Sequence, residues 1–287
     1  MPAPDASLAE VSRLAREMAE AVCWRDPGTG ESCAWYHGLW PDLRAVGLGS
    51  SVSYHADFLA QAFARVRKSK PRVLVSGAAD HAILAHVFAA CDANAIDCEV
   101  TVIDRCETPL RVNVWYAARA GRSIATCRTD VFEHASTVPY DVVVAHAFLG
   151  YFQPERRRAL FRHWRSMLAP SGAIVIVNRV RGGDPSEPVA FGQRDAEVFS
   201  AIAEAGLRPS LDEAALRTQL DRVAVYVLRQ YAYPVPREEL AGLLADVGLE
   251  VAISVSVSVT ANDRRIGDIG GVALASNATY ACMLGTR

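Results

Sequence analysis

The sequence predicts an α/β protein. We expect a seven-stranded, mostly parallel sheet with an antiparallel last strand, an N-terminal helical cap and a helical insertion before the sixth strand. Three observations carry this. From Pro71 to Asn178, short apolar runs alternate with stretches of helical period, the pattern of a parallel sheet crossed by helices. Later, Val251, Ile253, Val255, Val257 and Val259 alternate with Ala252 and three serines, as in a strand with one face in water. Finally, 51% of the 287 residues are hydrophobic and 22% charged, enough apolar material for a large core and too much for a disordered chain.

The elements follow in order. Ser7 and Glu10 form a capping-box pattern ahead of Leu8, Val11, Ala15, Met18 and Val22 at helical spacing. A turn-rich loop (Asp26–Gly30) leads to the aromatic cluster Trp35, Tyr36, His37 and Trp40, with Trp24 nearby. A second helix starts near Ser53 and ends on the basic run Arg65–Lys70, favoured by the helix dipole. Strands follow at Arg72–Ser76, Glu99–Ile103, Ser123–Thr126, Asp141–Ala145 and Ala173–Asn178. The intervening helices cover Asp80–Ala93, a stretch with Thr108 as N-cap and Pro109 at its first position, and a stretch opened by Pro154 and stopped by Pro170-Ser171-Gly172. Residues 191–231 read as two helices, and Pro236 begins another that Gly248 stops. After the alternating strand, a loop with Asp263, Asp268, Gly270 and Gly271 leads to a last strand, Thr279–Leu284. We expect 1–68 to act as cap and substrate lid, and 69–287 as the ligand-binding domain with its insertion at about 182–234.

Thirty basic residues against 32 acidic ones give a net charge of −2, which leaves nucleic acid without an electrostatic footprint. The opening MPAPDASLAE has an acid and no apolar stretch suited to a signal peptide, and no run approaches the roughly 18 apolar residues of a membrane span. The chain is expected in the cytoplasm. Its seven cysteines show no two-residue spacing, and His81 and His86, five apart, fall on different helix faces. Reduced, buried thiols and no metal are therefore expected.

Three polar features lie at the carboxyl ends of consecutive strands, where open α/β sheets hold ligands. After strand one, Ser76-Gly77-Ala78-Ala79-Asp80 is a turn of small residues that lets a ligand approach the backbone. Asp104 ends strand two at a position suited to ribose hydroxyls. Asp130 follows strand three, placed to accept from an exocyclic amine such as adenine N6. Together they describe a nucleoside site, although either acid alone serves equally well as a helix cap.

On these residues the chain resembles the class I, Rossmann-like S-adenosylmethionine-dependent methyltransferases over 71–180 and 236–287. The resemblance rests on Val73–Ala79, Asp104, Thr129-Asp130-Val131, Tyr140–Val144 and Leu168–Ala173. It implies S-adenosylmethionine as cofactor, with the methionine part at Ser76, Gly77 and Ala78, ribose at Asp104 beside Arg105, and adenine at Asp130 and Val131. It also implies cofactor contact for Tyr54, and a closing antiparallel strand pair. The chain departs from the family at Ser76, where an acid is usual, and at Ala79 and Asp80, where further glycines are usual. Asp80 has two open roles, partner of the cofactor's ammonium or helix cap.

His146, just past strand four, overlooks the methyl in this fold class and is the candidate general base, or else a hydrogen-bond partner of the cofactor. Trp35, Tyr36, His37, Trp40, Phe148 and Tyr226 are candidate walls for the substrate, with Asn178 and Arg179 meeting an anionic group. Arg229, Gln230, Tyr231 and Tyr233 line the far side or form a homodimer surface. The expected activity is methyl transfer to a small, polar or carboxylate-bearing molecule in biosynthesis. A cofactor-binding protein that transfers no methyl is the second reading. A nicotinamide oxidoreductase is the third, and it lacks two of the three glycines it needs.

Overall fold

The computed structural model describes residues 8–49, 52–229, 231–259 and 278–287. The strands of the main sheet are β1 (Arg72–Ser76), β2 (Glu99–Asp104), β3 (Ala125–Arg128), β4 (Tyr140–His146), β5 (Leu168–Val180), β8 (Glu250–Val259) and β9 (Ala278–Thr286). Their order across the sheet is β3-β2-β1-β4-β5-β9-β8. The first five are parallel, β9 runs antiparallel between β5 and β8, and the reversal of order at β1/β4 creates the crevice where ligands bind in such sheets. The expected seven-stranded fold class is what the chain forms.

Both faces of the sheet are covered, which is why its central strands are continuously apolar. Val73 and Val75 point into one core with α4 (Ala56–Phe63) and α5 (Ala82–Ala93), where Phe58, Leu59, Phe63, Leu84 and Phe88 are buried. Leu74 and Val143 point to the other, against Leu160, Phe161 and Trp164 of α7 (Pro154–Met167) and Leu240, Leu243 and Leu244 of α10 (Arg237–Asp246). β8 lies at the sheet edge with alternate residues exposed. On α10, Arg237 hydrogen-bonds both Ser254 and Ser256 of β8.

Helices α2 (Ala34–His37), α3 (Trp40–Ala45), α8 (Gln193–Leu207) and α9 (Glu213–Arg229) border the cavities at the carboxyl ends of the strands, and α1 (Leu8–Val22) packs Val11 and Ala15 against Val112. A two-stranded ribbon, β6 (Val189–Ala190) with β7 (Tyr231–Ala232), clasps the ends of the α8–α9 hairpin; no apolar period announces strands this short. The N-terminal helices and the insertion share one core, in which Leu39, Leu43 and Val46 meet Phe199, Leu216, Val223 and Tyr226. A buried polar network locks them together. Asp42 accepts from Arg16 at 2.7 Å and from Gln219 at 2.9 Å, while Gln219 also donates to the Gly38 carbonyl at 3.1 Å. Burial pushes the Asp42 carboxyl up, and Arg16 opposes that.

Four local expectations change. The helix after β2, α6 (Glu107–Arg119), begins two residues before Pro109, with Cys106 rather than Thr108 as N-cap, because the Asp104 carboxylate already takes the Cys106 N–H. Pro170-Ser171-Gly172 does not separate α7 from β5: the helix ends at Met167 and the strand runs on from Leu168 through an irregular register. β3 lies two residues later than expected. The helix expected near Ser53 opens as a 3-10 turn, Val52–His55, before α4. Ser7, Gln230 and the loop with Asp263, Asp268, Gly270 and Gly271 lie outside the described residues.

Candidate functional site

The site is built where β1, β2 and β4 end. Gly77 leaves β1 with φ +79°, a left-handed conformation that glycine adopts without strain, and its N–H donates to the Ile103 carbonyl at 3.0 Å. A Cβ at this position would lie 2.8 Å from the Phe148 ring, so a bare α-carbon is required twice over. The turn brings the Ala78 N–H to Asp104 Oδ2 at 3.1 Å, while Cys106 N–H donates to Asp104 Oδ1 at 2.8 Å. Those two bonds use about half of the carboxylate's roughly four lone-pair directions. Burial raises the Asp104 carboxyl, against the pull of His37 and the two N–H groups.

Asp80 has a double engagement. Its Oδ1 accepts from Ala82 N at 2.8 Å, capping α5, and its Oδ2 accepts from Arg44 of α3 at 2.6 Å. Both side chains are almost fully buried. Burial drives the Asp80 carboxyl up, but Arg44, His81 and the Ala82 N–H outweigh it and hold the group ionised below its usual range. Removing one partner of such a pair strands a buried charge, at a cost of about 3–5 kcal/mol.

β4 delivers His146, and the next residue, Ala147, has φ +51°. That conformation costs a non-glycine residue roughly 1–3 kcal/mol and is typical of functional corners. The Ala147 N–H donates to Val177 at 2.7 Å, and Asn178 Oδ1 accepts from Leu149 N–H at 3.1 Å, so β5 pins the bend. The bend aims Phe148 across Gly77. His146 Nε2 is buried without a hydrogen-bond partner among the described residues. Burial, then the neighbouring His55, His86 and Arg44, hold the imidazole well below its ordinary value, so it is neutral at pH 7.

Two cavities meet at this corner and share Trp40, Ala147 and Tyr151. One is bordered by Gly77, Ala78, Asp80, Asp104, His146 and Phe148 below and by Tyr36, His37, Trp40 and Arg44 above. The other is bordered by Tyr54, Asn178, Arg179, Arg181, Phe191, Phe199, Tyr226, Tyr231 and Tyr233. Burial, reinforced by Arg179, lowers the Arg181 guanidinium to about 10, still protonated at neutral pH. Tyr36 links the two walls: it stacks on Trp40 at 5.6 Å and on Tyr226 at 6.1 Å.

Several expected site residues lie elsewhere. Ser76 is buried with its hydroxyl accepting from Trp164 Nε1 at 3.1 Å, on the α7 side of the sheet. Asp130 borders neither cavity; its Oδ1 caps the Phe132 N–H at 2.9 Å, and the exposed Arg105 lies 3.7 Å from its other oxygen. Val131 is part of the α7-side core. Tyr54 faces the aromatic cavity rather than the Gly77 turn. Trp35 borders neither cavity but supports Tyr36 edge-on at 5.9 Å, and Arg229 lies over the Trp35 ring. Arg44, Tyr151, Arg181, Phe191 and Phe199 were not singled out by sequence. Arg181 follows the end of β5, and the others come from the cap, the β4 bend and the insertion, segments that no linear pattern ties to the strand ends.

The cysteines also behave differently from their linear spacing. Cys23, Cys33 and Cys106 converge, with their sulfurs within 4.8 Å of one another.

No protein-family model matches this chain, and no curated protein matches it. Among solved structures it is similar to the 1,6-didemethyltoxoflavin-N1-methyltransferase of Burkholderia thailandensis with bound 1,6-didemethyltoxoflavin and S-adenosylhomocysteine. The identity is 16%, the match covers 97% of this chain and 89% of that one, and the TM-score is 0.54. It is also similar to the magnesium protoporphyrin IX methyltransferase of Synechocystis PCC 6803 with bound S-adenosylhomocysteine, at 13% identity over 82% of this chain and 84% of that one, TM-score 0.49. The N-methyltransferase NodS of Bradyrhizobium japonicum WM9 matches at 14% identity over 82% and 88%, TM-score 0.47. The first likeness shows the fold: the Rossmann-like sheet of the class I methyltransferases, with its antiparallel closing strands. Among the described residues, no helix is long and apolar enough to cross a membrane.

Proposed function

We propose that this chain is an S-adenosylmethionine-dependent methyltransferase whose acceptor is a small molecule carrying an anionic group. The observation that carries the reading is the junction of two cavities at the His146–Ala147 corner, one beneath the Gly77 turn and Asp104, the other lined by aromatic rings with Arg179 and Arg181. The residues around the first suit an adenosyl cofactor: they gather at the carboxyl ends of β1, β2 and β4, where open sheets hold ligands, and Asp104 has acceptor capacity left for ribose hydroxyls. The solved methyltransferase with 1,6-didemethyltoxoflavin bound accords with a small acceptor.

When bound, the cofactor supplies a methyl group already activated on a sulfonium. The chain's own task is mainly positioning, which can lower a barrier by roughly 7–11 kcal/mol. Asp104 anchors the ribose side. Arg44, held by Asp80, presents its guanidinium to the carboxylate at the other end. Tyr36, Trp40 and Tyr151 exclude water above the junction, and their ring faces favour a cation by up to about 2 kcal/mol when desolvated. Arg181 and Arg179 orient the acceptor through its anionic group. Neutral His146, whose Nε2 has no partner among the described residues, takes the acceptor's proton where one must leave.

A cofactor-binding protein that transfers no methyl is the second reading. It is favoured by Phe148 resting on Gly77 and by Asp80 being fully engaged with Arg44 and Ala82. Incubation with methyl-labelled cofactor and a panel of small carboxylates, phenols and amines separates the two. Label on an acceptor supports transfer; cofactor binding with no labelled product across the panel supports the second reading. The balanced charge accords with an acceptor other than nucleic acid, and seven free cysteines accord with a cytoplasmic, biosynthetic setting. Exposed Val225 and Leu228 on α9, with Val189 and Tyr231 of the ribbon, are our surface for a homodimer, which sedimentation of the wild type against Leu228→Glu would test.

A further inference from the structure

We propose that Cys23, Cys33, His37 and Cys106 form a structural zinc site of the Cys₃His class, pinning the N-terminal helices to the end of β2. The proposal does not rest on the proposed reaction, although His37 also borders the cavity beneath Gly77.

Cys106 Sγ lies 3.5 Å from Cys33 Sγ and 3.5 Å from Cys23 Sγ. Tetrahedral zinc with bonds of about 2.3 Å to sulfur sets ligand sulfurs roughly 3.8 Å apart, so the three are already near the required spacing. The His37 imidazole, 7% exposed, lies beside the cluster, outside the 4.8 Å within which the three sulfurs gather, and would turn in to supply the fourth ligand. Its Nδ1 is buried with no hydrogen-bond partner among the described residues. Four ligands of this softness and number match zinc better than calcium or magnesium, and they leave no open position for catalysis.

The surroundings fit. Cys106 is the N-cap of the 13-residue helix α6, where the helix dipole favours a thiolate. The Thr108 hydroxyl lies 3.1 Å from Cys23 Sγ, in place to orient it. Cys23 and Cys33 are half-buried and Cys106 is buried, so an ion enters from the solvent side onto a closed floor. The ligands come from three segments: the end of α1, the start of α2 with His37, and the β2–α6 junction. On binding, the ligands enter as three thiolates and a neutral imidazole, every proton they carried passes to solvent, and three Zn–S bonds and one Zn–N bond form. Cys106 is two residues from Asp104 and His37 adjoins Tyr36, so the ion would tie the acid at the cavity floor to its aromatic roof.

The test uses the full chain. Zinc is quantified by elemental mass spectrometry in protein purified without chelator, and the stripped protein is then titrated with Co²⁺ alone. The site requires one metal per chain, with the ligand-field and thiolate charge-transfer bands of tetrahedral cobalt, bleached by added zinc. Cys33→Ala and Cys106→Ser should lose those bands, and Cys127→Ser, outside the cluster, should keep them. Should Cys106→Ser fail to fold, the wild-type titration and Cys33→Ala still decide. A wild-type chain that takes up no cobalt, or gives only an octahedral spectrum, overturns the site. So does an intact mass lighter by two hydrogens from a disulfide within the cluster.

Discussion

Replacing Gly77 by alanine isolates the geometry on which the cavity beneath it depends. The change adds one methyl group to a residue at φ +79°. The left-handed conformation costs an L-residue about 1–2 kcal/mol. The new Cβ would also stand 2.8 Å from Cδ2 and Cε2 of Phe148, a ring hemmed in by Phe152 at 5.0 Å and Tyr151 at 6.4 Å. Forcing an extra carbon into such packing costs about 1–3 kcal/mol. The sum is roughly 2–5 kcal/mol, and at roughly 2 °C per kcal/mol for a long chain the melting temperature should fall by roughly 4–10 °C. Phe148→Leu in the alanine background should return the packing part and leave the backbone part. Differential scanning calorimetry of the two single variants and the double variant measures this. A Gly77→Ala protein that melts with the wild type would refute the turn geometry. Full recovery by Phe148→Leu would refute the backbone contribution.

Three further outcomes follow from the site. Asp104→Ala should weaken S-adenosylhomocysteine binding by at least tenfold, since a charge-assisted hydrogen bond is worth roughly 1.5–3 kcal/mol; unchanged affinity in a folded variant removes Asp104 from the ribose role. His146→Ala should lower turnover about 10²-fold or more with cofactor affinity kept, whereas joint loss of both makes it a binding group. Because the folded-state pKa of His146 is depressed, the unfolded chain takes up its proton first. The stability this group contributes is present above its unfolded pKa near 6.5 and is lost as pH falls below that, and the wild-type melting temperature should decline more steeply there than that of the variant. Arg181→Met should raise KM for an anionic acceptor by about tenfold or more while kcat holds, and an equal fall in kcat would instead make Arg181 a transition-state contact.

What the sequence made legible was the sheet and the strand ends, because both are written in local periodicity. Val73–Val75 and Val142–Val144 are buried on two faces and could be read as strands without a partner. Asp104 and Gly77 stood out because polar and small residues interrupt apolar runs at a fixed place in the fold. Contacts that close across long separations were not legible. Arg44 reaches Asp80 over 36 residues, and Cys23 reaches Cys106 over 83. Phe148 covers Gly77 only because Ala147 bends the chain. The same local rule also over-reaches: Asp130 follows β3 as Asp104 ends β2, yet its carboxylate serves the Phe132 N–H, and Ser76 turns to Trp164. A strand-end position brings a residue near a ligand crevice, and the rotamer then decides which side it serves.

The proposed function requires the cavity beneath Gly77, walled by Asp104 and His146, to accept an adenosyl group. Isothermal titration of the full wild-type chain with S-adenosylhomocysteine measures this. Saturable one-to-one binding at micromolar concentrations is expected. Absence of heat at millimolar ligand, or equal binding of a nicotinamide dinucleotide, would contradict it.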